Sequence, residues 1–140
     1  MIVRPSLGVS VGVWRGDKVL LVKRGTQPLK GAWTFPGGRV EWGETSPAAA
    51  QREVLEETGL QVSALSFLYP LDFIGPLDSA GRARWHTLLL VYAGRSEDGV
   101  PIAGDDAEAA AFFAPDQLDG MELTPGLMHH IEASRAVLSS

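Results

Sequence analysis

Apolar and polar positions alternate along residues 6–14, residues 18–23 are a β-rich run with four consecutive apolar residues, and the intervening Arg15-Gly16-Asp17 is a turn signal, so the two runs predict a β-hairpin. The pattern then stops. Residues 25–43 carry Pro28, Pro36 and five glycines, with Gly37 and Gly38 adjacent, which predicts a long structured loop holding one short strand. Trp33, Phe35 and Trp42 give that loop enough apolar area to offset the entropy of ordering it.

Ser46 as N-cap, Pro47 at the first helical position and Gly59 as a stop bracket a helix over 47–58, and the three alanines 48–50 favour it. Residues 60–69 and 84–92 then read as strands joined by a Pro/Gly/Asp-rich loop over 70–81. A short last strand follows at 109–114, then a helical turn at 115–118. Leu127, Ile131, Val137 and Leu138 give residues 126–138 an amphipathic helical stripe. No repeat, low-complexity tract or linker interrupts the chain. Strands outnumber helices and are not interleaved with them one for one, so the expected class is α+β, a mixed sheet with helices packed on it, in a single domain over residues 1–140.

Composition narrows the chemistry. The 140 residues include no cysteine, which excludes a disulfide framework, a thiolate zinc site, an iron–sulfur cluster and a cysteine nucleophile, and fits a cytoplasmic protein. The first residues lack a signal-like apolar stretch, and the longest apolar run, 88–93, is far too short to span a bilayer, so no membrane partner is expected. A net charge of −5 argues against duplex nucleic acid, whose affinity comes mainly from basic contacts. An acidic protein that binds phosphates needs a metal between them.

Within the bracketed helix, Glu53, Glu56 and Glu57 fall at i, i+3 and i+4 and share one edge. Like charges at those spacings repel by a few tenths of a kcal/mol per pair, roughly, so stability alone gives no reason to stack them. A hard divalent cation resolves the conflict, because it seeks oxygen ligands and completes its shell with water and phosphate. Val54 and Ala50 on one flank, and Leu55 and Ala48 on the other, suggest a helix clamped between layers with its carboxylates facing a cleft. A solvated face is the commoner reading of a charge run. The wider spacing decides against it.

From residue 38 the order is Gly38, five residues, Glu44, seven residues, Arg52-Glu53-Val54, one residue, Glu56-Glu57, one residue, Gly59-Leu60. Every defined position matches the signature of the Nudix hydrolases, a coincidence of roughly one in a hundred million per start position on average residue usage. The lead-in from Gly31 through Gly37 also resembles that family. The resemblance implies an α/β/α sandwich whose loop–helix–loop holds Mg²⁺ or Mn²⁺. It implies Glu53, Glu56 and Glu57 as metal ligands with Gly38 beside them, Arg52 and Glu44 as a supporting ion pair, and Gly37, Gly38 and Gly59 as backbone pivots. Physical reasons stand beside these roles. Glycines at 37 and 38 let the backbone approach a phosphate closely, glycine at 59 closes the helix, and a bidentate Arg52–Glu44 pair would fix the loop.

The implied reaction is hydrolysis of a nucleoside diphosphate linked to a further group, and the implied partner is a nucleotide-derived small molecule. The general base is Glu53 or an acid of the loop before the last strand, Asp105, Asp106 or Glu108, among which Glu108 is best placed; the Gly104-Asp105-Asp106 stretch also reads as a polar turn. Pro76 lies about 16 residues past the box, where small ADP-ribose pyrophosphatases of the family carry a proline. Val22 and Gly25 depart from the coenzyme A diphosphatase pattern, and the NADH-cleaving signature is absent. A nucleoside triphosphate substrate is the alternative, and a nucleotide sensor without turnover is a weaker one because every acid of the box is present. Gly37, Gly38, Arg24, Trp33 and Arg84 are the candidate substrate contacts, although Trp14 and Trp33 also read as core. His129 and His130 read as solvent-facing helix residues. A homodimer is left open.

Overall fold

The computed structural model describes residues 3–104 and 106–139. The hairpin forms as expected: β1 (Ser6–Arg15) and β2 (Lys18–Arg24) pair antiparallel with Trp14 opposite Val19. The glycine-rich loop holds two short strands instead of one, β3 (Trp33–Thr34) and β4 (Gly37–Arg39), and is followed by α1 (Ser46–Thr58). Next come β5 (Ser63–Ile74), β6 (His86–Arg95), β7 (Ala107–Phe113), a 3₁₀ turn over Pro115–Leu118 and α2 (Leu127–Ser139). The sheet order is β3-β2-β1-β6-β5, with β4 added to β1 and β7 to β2. β1 and β6 run parallel; the other pairs are antiparallel.

Alternation along the central strands sends one set of side chains to each helix. Val9, Val11, Val13 and Leu20 pack with Ala49, Ala50 and Val54 of α1. Trp14, Val19 and Leu21 pack with Leu127 and Ile131 of α2, and the Trp14 indole N–H donates to the buried Ser134 hydroxyl at 2.8 Å. The mixed sheet between two helices is the expected α+β sandwich.

Four local expectations change. The N-cap of α1 is Thr45, not Ser46: its hydroxyl accepts from the Ala48 N–H at 3.3 Å, and the Ser46 hydroxyl instead bonds Tyr92 Oη at 2.6 Å. Only one flank of α1 is clamped, since Ala49, Ala50 and Val54 are buried whereas Ala48 is exposed and Leu55 is 48% exposed. β5 runs through Pro70 to Ile74, which a proline tolerates on an edge strand, so the following loop is shorter than the sequence suggested. His130 is half-buried, its Nδ1 bonded to Tyr69 Oη at 2.5 Å; burial, then the neighbouring His129, holds its pKa below the usual value, and burial pushes the Tyr69 phenol up.

Candidate active site

β1 changes partner along its length. Its first half pairs with β4, Val9 opposite Gly38 and Ser10 opposite Gly37, and its last residues pair with β2, which opens a fork between β4 and the β2–β7 ladder. α1 lays its acidic edge across that fork. The Gly37 N–H donates to Glu57 Oε1 at 3.1 Å, and a Cβ built on Gly38 would fall 2.3 Å from the Glu53 carboxyl carbon. The missing side chains thus form a cradle in which two carboxylates of α1 meet the β4 backbone.

Arg52 organises the surroundings. Its Nε and Nη2 hold Glu44 at 2.7 and 3.0 Å, the bidentate pair expected from the sequence. Nη2 also donates to the Arg39 carbonyl at 2.8 Å, and Nη1 donates to Glu53 at 2.8 Å and Glu56 at 3.1 Å. The Arg52 hydrogen bonds, then the Glu41 N–H, bring the Glu44 pKa from an ordinary 4.5 down to about 2; Glu44 in turn holds the Arg52 guanidinium further above its usual range. A lowered carboxylate pKa stabilises the fold above the unfolded value, and that stability is lost as pH falls toward the folded value. Glu44→Gln is therefore expected to lower the Tm at neutral pH, with the gap to wild type shrinking below about pH 4.5 and gone below about pH 2. Thermal melts across that range check it; a gap independent of pH would show that the pair does not act through charge.

Glu53, Glu56 and Glu57 are hard oxygen donors, and with the glycine cradle they suit Mg²⁺ or Mn²⁺. Among the described residues no three acidic or histidine side chains are already gathered at metal-binding distances; Arg52 bridges Glu53 and Glu56. The three glutamates line a cleft of about 790 Å³ together with Gly37, Gly38, Lys23, Arg24, Arg39 and Asp106. Its floor is β1 and β6, through Ser6, Gly8, Ser10, Thr87 and Leu89.

Of the expected substrate contacts, Gly37, Gly38 and Arg24 line the cleft, with Arg24 Nε anchored on the Pro28 carbonyl at 2.7 Å. Trp33 and Arg84 do not. Trp33 packs edge-on against Phe113 at 5.0 Å beside the α2-side core, and Arg84 is exposed on the β5–β6 connection. Glu108 is also outside the lining: Ala107 takes the cleft side of β7, and the Glu108 Cγ lies alongside Gly25. Asp105 lies outside the described residues. The loop bearing Asp106 is fixed at both ends. Arg15 donates to the carbonyls of Ser96, Asp98 and Gly99, and the N–H groups of Ile102 and Gly104 donate to the Thr58 and Glu57 carbonyls at the end of α1. Lys23, Arg39 and the floor hydroxyls escaped sequence reading. The floor hydroxyls had a signal, the polar alternation Ser6, Gly8, Ser10 within an otherwise apolar central strand, whereas Lys23 and Arg39 had none in the local pattern.

A mixed sheet between helices, with an acidic helix edge resting on a diglycine strand, is the architecture of the family whose signature the sequence carries. The NUDIX domain family matches residues 4–136, and the chain belongs to that family. An ADP-ribose pyrophosphatase from Methanocaldococcus jannaschii is 39% identical over 110 residues, 78% of this chain and 62% of that protein. An 8-oxo-dGDP phosphatase from Mus musculus is 33% identical over 98 residues, 70% of this chain and 27% of that protein. The chain thus spans less than two thirds of either relative. The solved structure of a MutT NUDIX hydrolase from Burkholderia pseudomallei superposes with a TM-score of 0.78 at 31% identity, covering 94% of this chain and 98% of that one. Nudix hydrolases generally use divalent metal ions. No helix among the described residues is long and apolar enough to cross a membrane.

Proposed function

We propose that this chain hydrolyses the diphosphate bond of a nucleoside diphosphate linked to a further group, with ADP-ribose or a related nucleoside diphosphate sugar preferred. The carrying observation is the cleft itself, which Glu53, Glu56 and Glu57 line together with Lys23, Arg24 and Arg39 and with the hydroxyl-bearing Ser6, Ser10 and Thr87. Glu53, Glu56 and Glu57 would hold Mg²⁺ or Mn²⁺, with Gly38 leaving room for their carboxylates. When bound, such an ion neutralises diphosphate charge and acidifies water. Lys23, Arg24 and Arg39 hold phosphate oxygens, and Arg52 orients Glu53 and Glu56. Glu53, which lines the cleft, is the base that takes the proton of the attacking water. The water oxygen joins one phosphorus as the bridging P–O bond breaks, giving two monophosphates.

The sugar preference is supported by the name of the archaeal relative and by the position of Pro76 past the box. A second reading, hydrolysis of an oxidised guanine nucleotide or another nucleoside triphosphate, is favoured by the name of the mouse relative. A nucleotide panel with Mg²⁺ or Mn²⁺, resolved by chromatography, separates them. ADP-ribose should give AMP and ribose 5-phosphate with a kcat/KM about tenfold or more above any triphosphate, a gap of roughly 1.4 kcal/mol. A higher kcat/KM for dGTP or 8-oxo-dGTP than for every diphosphate sugar would reverse the choice.

A further inference from the structure

The face of the sheet that floors the cleft continues past the cleft lining. Ser6 and Thr87, whose hydroxyls bond at 2.9 Å, form the last polar row of the floor. The register carries that row sideways onto β5, where Phe73 stands opposite Thr87 and Leu71 opposite Leu89. Directly opposed residues share a face of the sheet, so Phe73 looks out on the side the cleft occupies, and it is 43% exposed.

Beyond Phe73 the two strands continue as a closed arm. The Gly75 N–H donates to the Trp85 carbonyl at 2.9 Å and the Arg84 N–H to the Pro76 carbonyl at 2.9 Å, while Asp78 Oδ1 ties the tip by accepting from the Ala80 and Arg82 N–H groups. A Cβ built on Gly75 would lie 2.4, 2.5 and 2.8 Å from Cδ2, Cε2 and Cε3 of Trp85. The indole therefore rests on bare Gly75 backbone, on the face that Gly75 shares with Phe73 two residues earlier. With one side seated, Trp85 remains 52% exposed. Two aromatic side chains thus make a shelf at the Ser6–Thr87 end of the cleft.

We infer that this shelf seats the nucleobase of the substrate, with Trp85 and Phe73 as stacking contacts that set affinity and specificity and leave the chemical step alone. The inference rests on the nucleotide reading above and adds the direction in which the nucleotide lies. Three observations carry it. Gly38, beside the glutamates, is opposite Val9, three residues along β1 from Ser6, so the floor runs roughly 10 Å from the diphosphate end to the shelf, about the reach of one nucleoside. Every base has a π-face that stacks on an exposed ring, whereas a sugar has none. The arm's hydrogen bonds and the Gly75 seat hold the indole in place before a ligand arrives, so stacking costs little ordering entropy. The nucleoside then runs along the floor toward the β5–β6 arm, and the further group of the substrate points the other way, toward Arg24 and Asp106.

Isothermal titration with AMP and GMP in Mg²⁺ tests this without turnover, beside ribose 5-phosphate, which has the sugar and phosphate but no base. Trp85→Ala and Phe73→Ala should each weaken both nucleotides about fivefold or more, and Trp85→Phe should stay within about threefold of wild type. Gly75→Ala, which pushes the indole off its seat, should match Trp85→Ala. Ribose 5-phosphate should bind every variant equally, and Ile74→Ala, on the opposite face of the same arm, should bind nucleotides like wild type. Unchanged nucleotide affinity in both alanine variants, an equal loss for ribose 5-phosphate, a loss in Ile74→Ala as large as in Trp85→Ala, or no binding of either nucleotide to wild type at about 5 mM would each overturn the shelf. In steady state Trp85→Ala should raise KM with kcat within about twofold; a fall in kcat at unchanged KM would count against it. A substrate panel that favours triphosphates would reverse the sugar preference without touching these titrations, so the two readings fail separately.

Discussion

Glu57→Gln is expected to lower kcat by about 10³-fold or more in saturating Mg²⁺ while the protein keeps its fold. Glutamine still offers an oxygen to the Gly37 N–H, so the hydrogen bond that sets α1 on β4 can survive. What is lost is a negative charge, and a cationic clamp supplies several kcal/mol of transition-state stabilisation, each ~1.4 kcal/mol being tenfold in rate. Glu56→Gln should behave likewise, with one difference: Arg52 donates to Glu56 and Glu53, so the carboxylates already have a counter-ion and their removal relieves little repulsion. Glu108→Gln is the control, expected within about threefold of wild type because it sits outside the cleft lining. Steady-state rates and circular dichroism decide. Folded Glu56 and Glu57 variants that keep a tenth of the activity would remove the metal-site assignment.

The adjacent glycines should separate fold from function. On Gly37 a Cβ would lie 2.2 Å from the Val9 carbonyl oxygen, backbone that cannot move without breaking the β1–β4 ladder. Gly37→Ala is expected to cost about 1–3 kcal/mol, a fall of roughly 5–10 °C in Tm. On Gly38 the Cβ meets the end of the Glu53 side chain, which can swing aside. Gly38→Ala should therefore leave the Tm within roughly 2 °C of wild type yet lower kcat by about 10²-fold, since a misplacement of about 1 Å is enough for that loss. Equal Tm losses in both variants, or full activity in Gly38→Ala, would contradict the cradle.

Much of this architecture was legible because it is written locally. The Arg15-Gly16-Asp17 turn, the Pro47 and Gly59 brackets of α1 and the stripe of α2 each depend on neighbours a few residues away. The acidic edge and the Arg52–Glu44 pair were legible because the box fixes their spacing within one short segment. The rest depends on partners far along the chain. Trp33 is drawn toward Phe113 and His130 toward Tyr69, contacts between residues 80 and 61 positions apart in sequence. Lys23 and Arg39 enter the cleft only because β1 forks between β2 and β4, which no local pattern announces. Glu108 reads as a loop residue when the last strand is expected at 109–114; β7 instead begins at Ala107, so Glu108 lies on the strand, and Asp106 and Ala107 are the residues there that line the cleft.

The segment from Ser96 to Asp106 looks like an ordinary surface loop, yet it is clipped to Arg15 at one end and to the last turn of α1 at the other. Glu57 thereby serves two walls at once, its carboxylate facing the cleft and its carbonyl tying down the segment that leads to Asp106. Such a strap belongs to the same opening unit as the helix, so the amide hydrogens of Ile102 and Gly104 should exchange with solvent at the pace of α1 rather than of a free loop. Evolution has correspondingly little freedom to lengthen it. An inserted residue between Ile102 and Asp106 would detach the strap from the helix end, whereas the unclipped tip of the β5–β6 connection can change length without disturbing either wall.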